Sequence, residues 1–221
     1  MPIARWDLET GATDFAPATI HYPEGIDVSH DGKLAIVDGG GSNAVVLELP
    51  TLKVVQSVLN DTAASGSMIF SKDDEAIVND WQMGLSLDDP RSLKAKKQWP
   101  QAFGATSPDR ARVALYAKGF WGVVDATTGA PIKTFARPSE EASGGSIVFK
   151  PDGKRVALEL SGTVSVWDVE MGRKSAEAKT AGPCRYTRDG AVLLCKDAAF
   201  ESEMMRALPP LPPGRVELAY G

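Results

Sequence analysis

The chain has 221 residues, 43% of them hydrophobic and 24% charged, with 24 basic against 29 acidic residues and a net charge of -5. That much apolar material can build one large all-β domain or two small ones. The acidic balance disfavours a nucleic-acid backbone or an anionic membrane surface as partner, because both attract basic patches, and no apolar run nears the roughly 18 to 20 residues of a membrane span.

The N-terminus, Met1-Pro2-Ile3-Ala4-Arg5-Trp6-Asp7, lacks a charged region followed by an apolar one, so a cytoplasmic location is expected. Residues 1–22 contain a Trp-Asp turn with no Asp-Gly hairpin before it. They read as the last two strands of a four-stranded unit whose first two strands lie elsewhere. Ile3 to Trp6 and Thr13 to Ile20 are the candidate strands.

From residue 24 onward the chain repeats, and the repeat is clearest at Ser146-Ile147-Val148-Phe149-Lys150-Pro151-Asp152-Gly153-Lys154-Arg155-Val156-Ala157-Leu158. Apolar residues on both sides of a Pro-Asp-Gly turn give a period of two, not 3.6, which predicts a β-hairpin. The turn aspartate recurs as Asp31, Asp73, Asp109, Asp152 and Asp189, with successive spacings of 42, 36, 43 and 37. Three positions before each stand Val28, Phe70, Thr106, Phe149 and Tyr186; five before stand Ile26, Met68, Gly104, Ile147 and Cys184. After each turn comes a short apolar run such as Leu34 to Val37 or Val156 to Leu158, rich in β-branched residues and too short for a helix.

A second landmark follows 16 or 17 residues after the aspartate, at Glu48, Asp89, Asp125 and Asp168, and separates a third strand from a fourth. Four strands in about 40 residues make a sheet that cannot cover both of its faces alone and needs neighbours, which is the signature of a propeller blade. The predicted blades are 24–61, 66–101, 102–138 and 145–181, with 182–221 as the closing blade and 1–22 as its outer strands, the whole forming one domain. In the competing reading, Met204 to Leu208 and Val216 to Tyr220 are the outer strands of the 182–221 blade, and the N-terminal pair stays unpaired. An unclosed chain of that kind would be free to self-associate.

The unit resembles a bacterial WD40-like propeller repeat. Trp6-Asp7-Leu8-Glu9-Thr10-Gly11 and Trp167-Asp168-Val169-Glu170-Met171-Gly172 match the Trp-Asp end of the third strand and its turn. The resemblance covers nearly the whole chain and implies an all-β fold, a β-propeller of four-stranded antiparallel blades, with five blades closed by pairing of the N- and C-terminal segments. No Gly-His dipeptide occurs and the tryptophan is missing from the middle repeats, so the family's Asp-His-Ser-Trp network is not carried over. A propeller resemblance implies a scaffold and no particular activity.

The chemistry-bearing candidates divide between folding and function. The turn aspartates are expected to hydrogen-bond their own backbone. Asp38-Gly39-Gly40-Gly41-Ser42-Asn43 lacks the Lys-Ser/Thr ending and the following helix of a phosphate cradle and reads as a loop. Cys184 and Cys195 flank the Asp189-Gly190 turn at equal distances, so a cross-strand disulfide is conceivable, but two buried free thiols are the expectation, and His21 and His30 complete no close ligand set. Leu208 to Gly214 is proline-rich and reads as a turn or extended tail, with a polyproline ligand as the alternative.

The nonrepeating residues most suggestive of function lie between second and third strands: Trp81 and Gln82 in one loop, Lys118, Phe120 and Trp121 in the next, with Arg137 from a loop between blades. Aromatics flanked by polar groups can anchor a protein or stack on a sugar; Trp81 and Trp121 can equally fill the wedge between sheets. The expected function is a noncatalytic protein-protein interaction scaffold with no cofactor, no metal, no nucleic acid and no membrane partner. A small-ligand or glycan-binding propeller comes second, and a glycoside hydrolase with carboxylates converging on a channel third.

Overall fold

The computed structural model describes residues 1–39, 43–58, 66–80, 84–137, 145–180 and 182–209. They form β-strands and turns, and among them no helix is long and apolar enough to cross a membrane. Two compact units are present, Met1–Glu140 and Glu141–Gly221.

In the first unit, β1 (Pro2–Trp6) and β2 (Thr13–Thr19) pair as a two-stranded sheet. Three four-stranded antiparallel sheets follow, each with its strands in chain order. The first contains β3 (Pro23–Val28), β4 (Leu34–Gly39), β5 (Asn43–Glu48) and β6 (Lys53–Val58). The second contains β7 (Gly66–Phe70), β8 (Ala76–Asp80), β9 (Gly84–Asp89) and β10 (Lys94–Trp99). The third contains β11 (Phe103–Thr106), β12 (Arg112–Ala117), β13 (Phe120–Asp125) and β14 (Pro131–Thr134).

The second unit holds two more sheets: β15 (Gly145–Phe149), β16 (Arg155–Leu160), β17 (Thr163–Asp168) and β18 (Arg173–Lys179), then β19 (Cys184–Tyr186), β20 (Val192–Cys195), β21 (Ala199–Glu201) and β22 (Arg206–Ala207). The blade-like repeat read from the aspartate spacing is thus present five times as a four-stranded sheet. Among the described residues β21 and β22 take the outer positions of the fifth sheet and β1 pairs with β2, while Val216 to Tyr220 lie outside the described residues.

Burial follows from stacking sheet on sheet. The second strands of the first, third and fourth sheets are buried on both faces almost throughout, whereas the fourth strand of the second sheet, Lys-Ala-Lys-Lys-Gln-Trp, is almost wholly exposed. Leu34, Ile36 and Val46 of the first sheet pack on Phe70 and Ala76 of the second; Ile77, Leu85 and Leu87 of the second pack on Val113 and Leu115 of the third. In the other unit Ala157, Val164 and Val166 meet Leu193 and Phe200. Each such large side chain removed from water contributes about 1.5 to 3 kcal/mol.

The turn aspartates do what their spacing predicts. Ser29 Oγ donates to Asp31 Oδ1 (2.8 Å), which also accepts the Lys33 amide (2.9 Å), while the Leu34 amide donates to Ser29 Oγ (2.9 Å). Thr187 and Asp189 repeat the pattern with the amides of Val192 and Ala191. The residue after the aspartate is left-handed in all five copies: Gly32, Gly153 and Gly190, but also Asp74 (φ 63°) and Arg110 (φ 57°). A side chain in that region is strained by roughly 1 to 2 kcal/mol, and both nonglycine residues use the side chain to reach the first sheet. Asp74 accepts the His30 and Asp31 amides, and Arg110 grips Asp27.

The two cysteines correct an expectation. They are paired in a disulfide, not held as free thiols, with 4.1 Å between their Cα atoms. Register explains why. Cys184 and Cys195 are directly opposed, and the Cys195 amide donates to Ala198 on the other side of its strand, so the pair sits at a non-hydrogen-bonded site, where antiparallel strands approach most closely.

Candidate functional site

Four of the six residues singled out from the sequence are among the described residues. Trp81 and Gln82 lie outside the described residues. Lys118 is exposed in the tight turn joining β12 to β13, and Phe120 is half-buried against the core between the second and third sheets. Trp121 is fully buried at 0% exposure, 6.3 Å from the Tyr116 ring and edge-on to Phe135 at 5.0 Å. It fills space within the third sheet's surroundings and is not an exposed anchor, because β13 is buried on both faces from Trp121 to Val124. Arg137 stacks its guanidinium 5.2 Å from the Tyr116 ring and donates from Nη2 to the Tyr116 hydroxyl at 3.3 Å. Phe120, Trp121 and Arg137 are therefore tied to the third sheet's packing, and only Lys118 stands free on the surface.

A small cavity of about 110 Å³ lies between the second and third sheets, lined by Ser67, Ile69, Ile77, Leu85 and residues 104–106. Ordinary small-molecule sites are about 300 to 1,000 Å³, so this slot holds no sugar ring. Carboxylates on strands are engaged in the fold: Asp27 Oδ2 accepts the Phe70 amide and Asp38 Oδ2 the Met68 amide, each at 2.8 Å. Burial pushes the Asp38 carboxyl up from its ordinary value.

The surface that stands out was not among the sequence candidates. Trp6, Phe15, Tyr22, Ile26 and Val28, all large and apolar, are exposed near the start of the chain. On the hairpin of β1 and β2, Ile3, Ala16 and Ala18 face inward onto Val37, Val45 and Leu47 of the first sheet. Alternation then turns Ala4, Trp6 and Phe15 outward, with Ala4 and Phe15 directly opposed. Ile26 and Val28 belong to the same face of the first sheet that the hairpin covers, since Ile26 pairs with Val37 and Val37 with Val45. The hairpin covers the outer part of that face and stops short of β3.

Comparison with the other repeats shows what is unusual. Val28 is 43% exposed and Ile26 69%, whereas Phe70, the counterpart of Val28, is at 0% and Met68, the counterpart of Ile26, is half-buried. In the second sheet those residues are covered by a four-stranded neighbour; in the first, the neighbour among the described residues is the two-stranded sheet of β1 and β2. The turn Trp6 to Gly11 and the turn Trp167 to Gly172 are built alike: the aspartate Oδ1 accepts turn amides and its carbonyl accepts the glycine amide, at Asp7 and at Asp168. That equivalence matches β1 and β2 to the third and fourth strands of the four-stranded sheets. The signal was present in the sequence as a Trp-Asp turn without a preceding hairpin.

Among the described residues the protein is all-β, with repeated four-stranded antiparallel sheets and one two-stranded sheet of β1 and β2. No protein-family model matches the chain, and no curated protein matches it.

Proposed function

We propose that the protein is a noncatalytic interaction scaffold of the WD40-like propeller type, whose sheets display an apolar surface to another protein. The observation that carries this reading is the exposure of Trp6, Phe15, Tyr22, Ile26 and Val28 near the start of the chain. Exposed aromatics such as Trp6, Phe15 and Tyr22 favour protein contact, with tryptophan and tyrosine the usual anchors. Small-ligand binding ranks second because the slot at Ile69 and Gly104 is below the usual size, and hydrolysis third. The Cys184–Cys195 disulfide favours an oxidising compartment over the cytoplasmic setting expected from the N-terminus.

Quantitative partner recovery with the wild type and a Trp6→Ala/Phe15→Ala variant tests the reading. A specific protein recovered by the wild type and lost by the variant, with an unchanged thermal melt, is the expected result. Equal recovery by both removes the hairpin surface from the function.

A further inference from the structure

We propose that the slot between the second and third sheets is a binding site for a short branched alcohol, with the carbon skeleton against Ile69, Ile77 and Leu85 and the hydroxyl bonded to Ser67 and Thr106. None of these residues belongs to the surface of Trp6 and Phe15, so the site stands or falls independently of the scaffold reading.

The slot has its cause in the repeat. At five and three positions before the turn aspartate, four of the repeats carry apolar or aromatic side chains: Ile26 and Val28, Met68 and Phe70, Ile147 and Phe149, Cys184 and Tyr186. The third repeat has Gly104 and Thr106 there. Register puts both on the face that meets the second sheet, since Gly104 is opposite Leu115 and Thr106 opposite Val113, and those partners pack with Ile77, Leu85 and Leu87. On the facing sheet Ile69 is opposite Ile77, and alternation along β7 places Ser67 on the same side. One interface earlier, Phe70 packs on Leu34 and Ile36. Two smaller residues in the equivalent places leave about 110 Å³.

Contact fixes the glycine. A Cβ at Gly104 would lie 2.6 Å from Leu85 Cδ1 and 2.8 Å from the Ala114 carbonyl oxygen, so Leu85 rests against the glycine backbone and no side chain can occupy that position. The size and chemistry of the slot select the occupant. An apolar cavity of about 150 Å³ takes benzene, and on that scale this one takes a branched chain of about four carbon atoms. Ligand sites are mostly apolar, with a few polar groups that fix orientation. Three aliphatic side chains supply the first here and two hydroxyls the second, each able to donate and to accept. An alcohol matches both hydroxyls. A carboxylate on the same skeleton would enter a slot in which no lining residue is charged, at a desolvation cost with no ion pair to offset it.

The probe is isobutanol, titrated into the full chain with isotope-labelled isoleucine methyl groups and followed by NMR. Saturable shifts are expected at Ile69 and Ile77 and not at Ile36, which packs in the other interface. Isobutyrate, the charged analogue, should leave the spectrum unchanged. Thr106→Leu extends a side chain into the slot and should abolish the isobutanol shifts while melting no lower than wild type. Ser67→Ala/Thr106→Val keeps the shape, removes both hydroxyls and should weaken binding about fivefold or more. Shifts that are absent or rise without saturation, equal binding of isobutyrate, or shifts that persist in Thr106→Leu overturn the proposal, as does unchanged affinity in the variant without hydroxyls. If Thr106→Leu does not fold, Ile69→Phe narrows the slot from the facing sheet and decides in the same way.

Discussion

Arg110, in the turn of the third sheet, holds Asp27 of the first through both guanidinium nitrogens, with Nη1 to Oδ2 at 2.7 Å and Nη2 to Oδ1 at 2.9 Å. The same carboxylate accepts the Phe70 amide from the second sheet, so one side chain ties three successive repeats. Arg110 reaches it from a left-handed backbone, the conformation its glycine counterparts adopt without strain.

Two opposing effects therefore meet at Arg110 and can be separated. Arg110→Ala removes the clamp and keeps the strained backbone, whereas Arg110→Gly removes the clamp and relieves the strain. The glycine variant is expected to be the more stable of the two by about 1 kcal/mol, and both less stable than wild type. Asp27→Ala costs about 2 to 3 kcal/mol, since it also strips the Phe70 amide of its acceptor. Urea titrations of the three variants rank them; equal stability of the glycine and alanine variants would show that the strain is not felt.

Acid sensitivity should reflect the turn aspartates. The Lys33 ammonium, with the Lys33 amide and the Ser29 hydroxyl, holds the Asp31 carboxyl at about 2. Ser107 and Thr187 hydroxyls likewise lower Asp109 and Asp189. A carboxyl lowered by folding contributes stability above its unfolded value near 4 and loses it as pH falls toward the folded value. Melting temperature is expected to fall between about pH 4 and pH 2, less steeply in Asp31→Asn. Asp38 acts in the opposite sense. Burial raises its carboxyl, so Asp38→Asn should compare best with wild type at neutral pH and lose that advantage as pH drops through the raised value.

Trp121 and Lys118 make a matched pair for the third sheet. Trp121→Ala empties a site bounded by Tyr116 and Phe135 and should cost about 3 to 5 kcal/mol. Lys118→Ala, on an exposed turn, should change stability by less than about 0.5 kcal/mol. A chemical denaturation curve for each decides; a Trp121→Ala protein as stable as wild type would contradict its place in the core.

The disulfide between Cys184 and Cys195 closes a loop with a sequence separation of 11. Chain-entropy reasoning gives such a loop about 2 to 3 kcal/mol of stabilisation. Reduction should lower the melting temperature of the Glu141–Gly221 unit and leave a Cys184→Ala/Cys195→Ala variant unaffected by reductant. Hydrogen exchange localised to the fifth sheet is the direct readout.

Local chemistry made much of this legible in advance. The Ser/Thr-x-Asp turns, the alternation about them and the third-to-fourth-strand turns at Asp125 and Asp168 are short-range features, and they appear as read. The cysteine pairing was harder, because equal spacing about a turn permits a disulfide but does not say which face each strand presents. Of the candidate loops, the one holding Trp81 and Gln82 lies outside the described residues. An aromatic beside a lysine in a loop looks the same in one dimension whether it turns in, as Trp121 does, or out.

The sequence by itself determined the repeat: period-two alternation, turn residues at recurring offsets and four strands per unit follow from contacts a few residues apart. Tertiary structure alone decided which copies are covered. Ile26 and Met68 hold the same place in their repeats, yet one faces a two-stranded neighbour and the other a four-stranded one. Burial of a sheet face depends on what another segment supplies, and nothing within the repeat records that.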